Sequence, residues 1–476
     1  MAVVGTRRSR RLGRNLCAHM VGQEYLFQRE TFAGGDRWLA RHVARPVLAF
    51  VHREVAGSML LLVATAAALL WANSAWSDSY FDFWHTHIDI HIGSVHLHPL
   101  TFEEFVNDAL MALFFFVVGL EIKREMVTGY LSSIRAATLP AIAAIGGMVV
   151  PALAYVAFNP SGDAAAGWGI PMATDIAFAV GIVALLGSRV PPMLKLFLLT
   201  LAIVDDIGAI VVIALFYTGD LDLGWLALAG GMLVLVRLLT LMKVWALPVY
   251  WVIGIVTWYA TLESGVHATI AGVALGLLTP ARPLLSRDAA QEFVDQLPKQ
   301  LPDRMSIERV HQASFVVQES VPMTERLETL LHPFTAFLIV PIFALANAGV
   351  PLSGDTLSDA AASPVTWGIV IGLVVGKPVG IAVFTWVATR FGFELPPGMN
   401  WPQYIGMGFA AGIGFTVSIF ITGLAFDNGF TDAAKIGILF ASACAAVAAL
   451  ALLRFSGAHG AHTEVPPDEH DAHDEP

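Results

Sequence analysis

Cysteine is nearly absent. Cys17 and Cys444 are the whole complement, and they supply neither a disulfide framework nor a metal-ligand pattern. Charge is scarce as well: 14% of the 476 residues are Asp, Glu, Lys or Arg, while 56% are apolar. With a mean hydropathy of +0.67, that balance excludes an ordinary soluble globular domain and points to a chain that crosses a bilayer many times. A signal peptide is not apparent either, since the first 54 residues carry ten arginines and no apolar h-region. The formal charge of -11 says little about partners, because the charges are sorted by position.

The sorting shows as a second absence. Lys and Arg are missing from segments 73–104, 159–165, 218–222, 262–265, 351–365 and 427–432, while the alternate segments hold nearly all of them. Between these loops lie twelve apolar stretches, near 55–72, 105–130, 137–158, 166–187, 192–217, 223–242, 245–261, 266–280, 333–350, 366–389, 403–426 and 433–455. Most have the ~20 residues a helix needs to cross ~30 Å of hydrocarbon. The expectation is an all-α polytopic membrane protein of twelve transmembrane helices. By the positive-inside rule both termini and the 281–332 loop are cytoplasmic. Only Lys377 and Lys435 fall outside this scheme.

Three segments lie outside the 55–455 membrane domain or interrupt it. Residues 1–54 form an Arg-rich cytoplasmic arm, read as a topology determinant beside the bilayer rather than a nucleic-acid binder. The 281–332 loop is a polar, partly ordered cytoplasmic insertion, and 456–476 is an acidic tail carrying His459, His462, His470 and His473. On the outer side, HIDIHIGSVHLH from His87 to His98 alternates apolar and polar residues around Gly93-Ser94, the pattern of a small β-hairpin over about 86–99. A lone hairpin is marginal in water, so its edge is expected to pair with a second copy, giving a homodimer. A metal site on its histidines is the lesser alternative.

The stretch around which the rest is organised is LLTLAIVDDIGAIVVIALFY, Leu198 to Tyr217, with Asp205 and Asp206 side by side at its middle. A carboxylate at the bilayer centre costs ~2.5 to 3.5 kcal/mol even on insertion-based scales, and intramembrane ionisable groups mark ion paths or proton relays. Adjacent helix positions differ by about 100°, so both side chains can edge one crevice. Other polar groups share that depth: Asp108 opens the second span, Thr174 and Asp175 interrupt the fourth in GIPMATDIAFAVG, and Lys377 lies in the tenth. The eleventh, GMGFAAGIGFTVSIF, has Gly406, Gly408, Gly412 and Gly414 within nine residues, the signature of an unwound segment, or else of close packing. Broken fourth and eleventh helices would aim half-helix ends into the protein, the positive ends wanting Asp175 and the negative ends Lys377.

VGLEIKRE, ATDIAFAVG, LAIVDDIGAI, SGVHATIAG, FALANAG, GKPVGI and GIGFTVSIF, in this order between about residues 55 and 455, closely resemble the bacterial NhaA-type sodium/proton antiporters. The resemblance implies inverted repeats with crossed, broken helices four and eleven, no cofactor, and electrogenic, pH-regulated exchange of cytoplasmic Na⁺ or Li⁺ for external protons across the bacterial inner membrane. It assigns the Na⁺ and proton site to Asp205 and Asp206, with Thr174 and Asp175 nearby, Lys377 paired with Asp205, and Asp108 on the pathway. It ties Glu121, Arg124, Glu125, Glu328 and His267 to the pH response. Thr329 stands after Glu328 where the family commonly has a histidine.

Two rival classes use similar residues. An intramembrane aspartyl protease needs its carboxylates on separate helices, and these are adjacent. A sodium-coupled organic-anion symporter would replace one aspartate and lack Lys377.

Overall fold

The structure, a computed structural model, describes residues 55–88, 91–92, 95–96, 100–244, 247–285, 307–396, 399–426 and 429–456. The Arg-rich arm, residues 286–306 of the cytoplasmic loop and the acidic tail from 457 lie outside the described residues.

Among the described residues, seven helices are long and apolar enough to cross a membrane. In chain order, α1 (Ala56–Ala72) turns by 115° into α2 (Ser77–Trp84). The long α3 (Phe102–Val127) and α4 (Ile134–Phe158) follow. A 3-10 segment, Asp163–Met172, then meets α5 (Ile176–Leu185) at a bend of 41°. Next come α6 (Pro192–Phe216), α7 (Leu223–Leu241), α8 (Leu247–Glu263), the ten-residue α9 (Thr269–Leu278) and α10 (Ile307–Glu319). Spanning α11 (Met323–Asn347), short α12 (Gly354–Ala362) and spanning α13 (Pro364–Arg390) come next. A second broken pair, α14 (Trp401–Ala411) and α15 (Phe415–Ala425), bends by 44°, and α16 (Thr431–Ser456) closes the chain. Counting each bent pair as one span gives up to ten.

Local chemistry explains where these elements begin. Pro192 opens α6 at a position whose N–H has no partner in any helix. Asp222 caps α7 by accepting from the amides of Gly224 and Trp225 at 2.7 and 3.2 Å. Thr101 with Glu104, and Asn400 with Gln403, form reciprocal capping boxes at the starts of α3 and α14. One boundary differs by ten residues from the hydropathy reading: α11 starts at Met323, not near 333. Its first turns bury only a stripe, Thr324, Leu327 and Leu331, and an average over both faces hides such a stripe.

Three of the long helices contain a π-helical turn: Val106–Leu110 in α3, Thr335–Ile339 in α11 and Gly372–Gly376 in α13. Such turns often mark functional sites. The first carries Asp108, and the third ends immediately before Lys377.

The expected hairpin is present in its paired stretches. His91 faces His96 and Ile92 faces Val95 across the Gly93-Ser94 position, while His87 faces Thr101 and Ile88 faces Leu100. The second set is offset by one residue from the first, and Leu100 and Thr101 lead directly into α3.

Both readings of the glycine run in the eleventh span have a share. A methyl group on Gly406 would meet Leu453 at 2.9 Å and one on Gly408 the Pro378 Cα at 2.9 Å, so these two serve close packing. Gly412 and Gly414 flank the break between α14 and α15, both at negative φ. The break therefore needs their small size rather than a left-handed backbone.

Candidate functional site

The centre of the molecule is built from two helix breaks and one intact helix. Asp205 and Asp206, at the middle of α6, are 1% and 5% exposed. Lys377, the first residue after the π turn of α13, is fully buried, and its Nζ lies 2.7 Å from Asp205 Oδ2. The same ammonium donates to the carbonyl of Met172, the last residue of the 3-10 segment. A cation thus sits where a half-helix exposes its negative end.

Asp175 does the converse at the positive ends. As N-cap of α5 it accepts from the amide of Phe178 at 2.9 Å. Its other oxygen accepts from both the amide and the hydroxyl of Thr416, at 3.1 and 2.6 Å, in the first turn of α15. One carboxylate therefore serves the N-termini of two half-helices from different breaks. The backbones are stitched as well: Asp175 N donates to Ile413 O at 2.7 Å, Thr174 Oγ1 to Ala411 O at 2.8 Å, and Ser418 Oγ to Ile170 O at 2.8 Å. Ser442 of α16 accepts from Phe415 N at 3.3 Å, at the start of α15. Thr416, Ser418 and Ser442 gave no sign in the sequence, being ordinary hydroxyl residues in apolar helices.

What remains chemically available is unequal. Asp175 is saturated with donors, and the Thr174 hydroxyl is spent on Ala411. Asp205 Oδ1 is buried, lies beside Thr174 and makes no hydrogen bond of ordinary geometry. Asp206, among the described residues, has no hydrogen-bond or ion-pair partner, with Asp205, Glu121, Lys377 and Asp175 its charged neighbours. A buried carboxylate left without a donor has oxygens to offer a proton or a small hard cation. Among the described residues no three His, Cys, Asp or Glu side chains converge as a transition-metal site would require.

The remaining predicted residues fall in separate places. Asp108 lies on the π turn of α3, its carbonyl accepting from Trp258 Nε1 at 2.8 Å. Arg124 bridges two carboxylates, Glu328 at 2.5 Å and Glu125 at 3.5 Å. Glu121 lies within electrostatic range of all three. His267 is not part of that cluster: its Nε2 is 2.5 Å from the carbonyl of Tyr217, the C-cap of α6. Tyr217 in turn donates its hydroxyl to Ala166 O at 2.7 Å and accepts from Gly169 N at 3.2 Å.

Apolar spanning helices, two breaks stitched together at their midpoints and buried charges gathered at the junction define a polytopic membrane transporter of the broken-helix kind. The comparisons with known proteins narrow that class. The Na⁺/H⁺ antiporter 1 family matches residues 48–453, and the chain belongs to it. It is 48% identical over 425 residues to the Na⁺/H⁺ antiporter NhaA of Rhodopirellula baltica, an alignment that covers 88% of this chain and 94% of that protein. It is 47% identical over 417 residues to NhaA 3 of Frankia alni, covering 87% and 89%. With NhaA of Syntrophobacter fumaroxidans it shares 45% identity over 435 residues, covering 87% and 91%. The chain is therefore a multi-pass membrane protein of a sodium/proton antiporter family, whose members are transporters rather than enzymes.

Proposed function

We propose that the protein moves cytoplasmic Na⁺, or Li⁺, outward in exchange for external protons, with Asp205 and Asp206 carrying either the cation or protons. The observation that supports this most is Asp206: buried, without a donor among the described residues, and beside an aspartate whose charge Lys377 offsets. Carboxylate oxygens suit small hard cations and must be ionised to hold them, so Na⁺ and protons exclude each other at one coupled pair. Rocking of one helix bundle against another, with only a loaded site able to cross, turns that competition into antiport. Excess protons over Na⁺ per cycle make the exchange electrogenic.

In this reading the chain crosses the bacterial inner membrane twelve times with both termini in the cytoplasm, and the broken fourth and eleventh helices cross within inverted repeats. Lys377 and Asp175 compensate half-helix ends, Thr174 lines the site, and Asp108 lies on the pathway. The Arg124, Glu125, Glu328 and Glu121 group and His267 set the pH response, and the outer hairpin joins two copies.

The test is dequenching of a pH-sensitive dye in proteoliposomes on addition of Na⁺ or Li⁺. The wild type is expected to respond to both ions. The Asp206→Asn variant, folded and inserted, is expected to respond to neither, and a near-normal signal from it at saturating Na⁺ would overturn the assignment.

A further inference from the structure

The first turns of α11 bury Thr324, Leu327 and Leu331 and place the half-buried Glu328 beside them, at positions i, i+3, i+7 and i+4. Two of the four carry oxygen. Thr324 is fully buried and, among the described residues, its hydroxyl has no partner; as the second residue of α11 it has no helical carbonyl one turn back, which is where Thr257 and Thr261 spend theirs. Glu328 gives Oε1 to Arg124 at 2.5 Å, while its Oε2 is buried with no partner. Residues four apart on a helix lie over one another, so Thr324 shares the helix face on which Glu328 meets Arg124 of α3. Buried polar atoms in folded proteins are nearly always paired, and two on one stripe call for an explanation.

The charge around them is one-sided. Glu121, Glu125 and Glu328 meet a single guanidinium, Arg124, with Glu325 also in electrostatic range of Glu328. Glu121 acts on both sides, being a charged neighbour of Glu328 and of Asp206. We propose that Thr324 Oγ1 and Glu328 Oε2 hold a Na⁺ or Li⁺ ion at a staging site on the inner side of the molecule, from which it passes by Glu121 to Asp206. The orphan hydroxyl offers a neutral lone pair, the orphan carboxylate oxygen offers charge, and Arg124 fixes the orientation of Glu328. This inference rests on the antiport reading above, and its test separates the two.

The test uses full-length protein carrying Asp205→Asn and Asp206→Asn together, with binding of ²²Na⁺ followed by scintillation proximity. A residual site is expected, weakened tenfold or more by adding Thr324→Val or Glu328→Gln and restored by Thr324→Ser. In the otherwise wild-type protein, Thr324→Val is expected to raise the KM for Na⁺ on the inner side about threefold or more at constant kcat, the signature of lost ground-state binding. Absence of a residual site in the double variant, or a residual site indifferent to Thr324→Val, would overturn the proposal while leaving the role of Asp205 and Asp206 standing. Exchange persisting in the double variant would instead overturn the antiport assignment.

Discussion

Lys377 and Asp205, 172 residues apart in sequence on α13 and α6, form an ion pair 2.7 Å long in which both side chains are wholly buried. Breaking such a pair by removing one partner typically costs ~3 to 5 kcal/mol, because the other charge stays buried and uncompensated. Lys377→Ala is therefore expected to lower the melting temperature in detergent as well as the exchange rate. An unchanged melting temperature would show that the pair contributes nothing net to the fold.

Asp175 should behave differently from Asp206. Its oxygens are committed to Phe178 and Thr416, so Asp175→Asn removes charge from two helix N-termini, worth roughly 1 to 2 kcal/mol of stability together. Thermal unfolding should report that loss, and Na⁺ exchange should be slowed rather than abolished. Complete loss of exchange with an unshifted melting curve would make Asp175 a cation ligand instead of a compensator.

How much of this was legible beforehand depended on cost. A carboxylate at mid-membrane is so unfavourable that Asp205, Asp206, Asp175 and Lys377 announce themselves, and the argument from helix ends already paired the last two with opposite termini. Thr416 and Ser442 carried no such signal, since a threonine or serine in an apolar helix normally bonds to its own helix. Only the fold brings Thr416 to a carboxylate 241 residues away. The start of α11 was hidden because its buried stripe is flanked by Glu325, Arg326 and Glu328, which average out a hydropathy window. The glycines of the eleventh span were ambiguous in sequence because half of them pack and half flank the break.

The outer hairpin leads to a prediction about assembly. Its paired stretches run from His87 to Thr101 and present strand edges that a second copy can extend. Replacing residues 89–98 by a short linker is expected to shift the protein toward monomer in light scattering while sparing transport. A dimer fraction unaffected by the replacement would remove the hairpin from the interface.

The proposed competition at Asp205 and Asp206 also gives the sign of a pH dependence. Each proton displaced when Na⁺ binds must raise the apparent Kd about tenfold per unit of falling pH over the range where that proton titrates. One displaced proton gives a slope near one on a log-log plot, and two give a slope approaching two. The direction is fixed: acid weakens Na⁺ binding and alkali strengthens it until the site is fully ionised.

The measurement that bears most directly on this is calorimetric titration of the purified full-length protein with Na⁺, in buffers of different ionisation enthalpy, at several pH values. The account predicts proton release on Na⁺ binding, an affinity that falls with pH at the slope set by the number of protons released, and loss of both in Asp206→Asn. Affinity flat with pH and no protons released would contradict it, and proton and sodium sites would then have to be separate groups coupled through conformation.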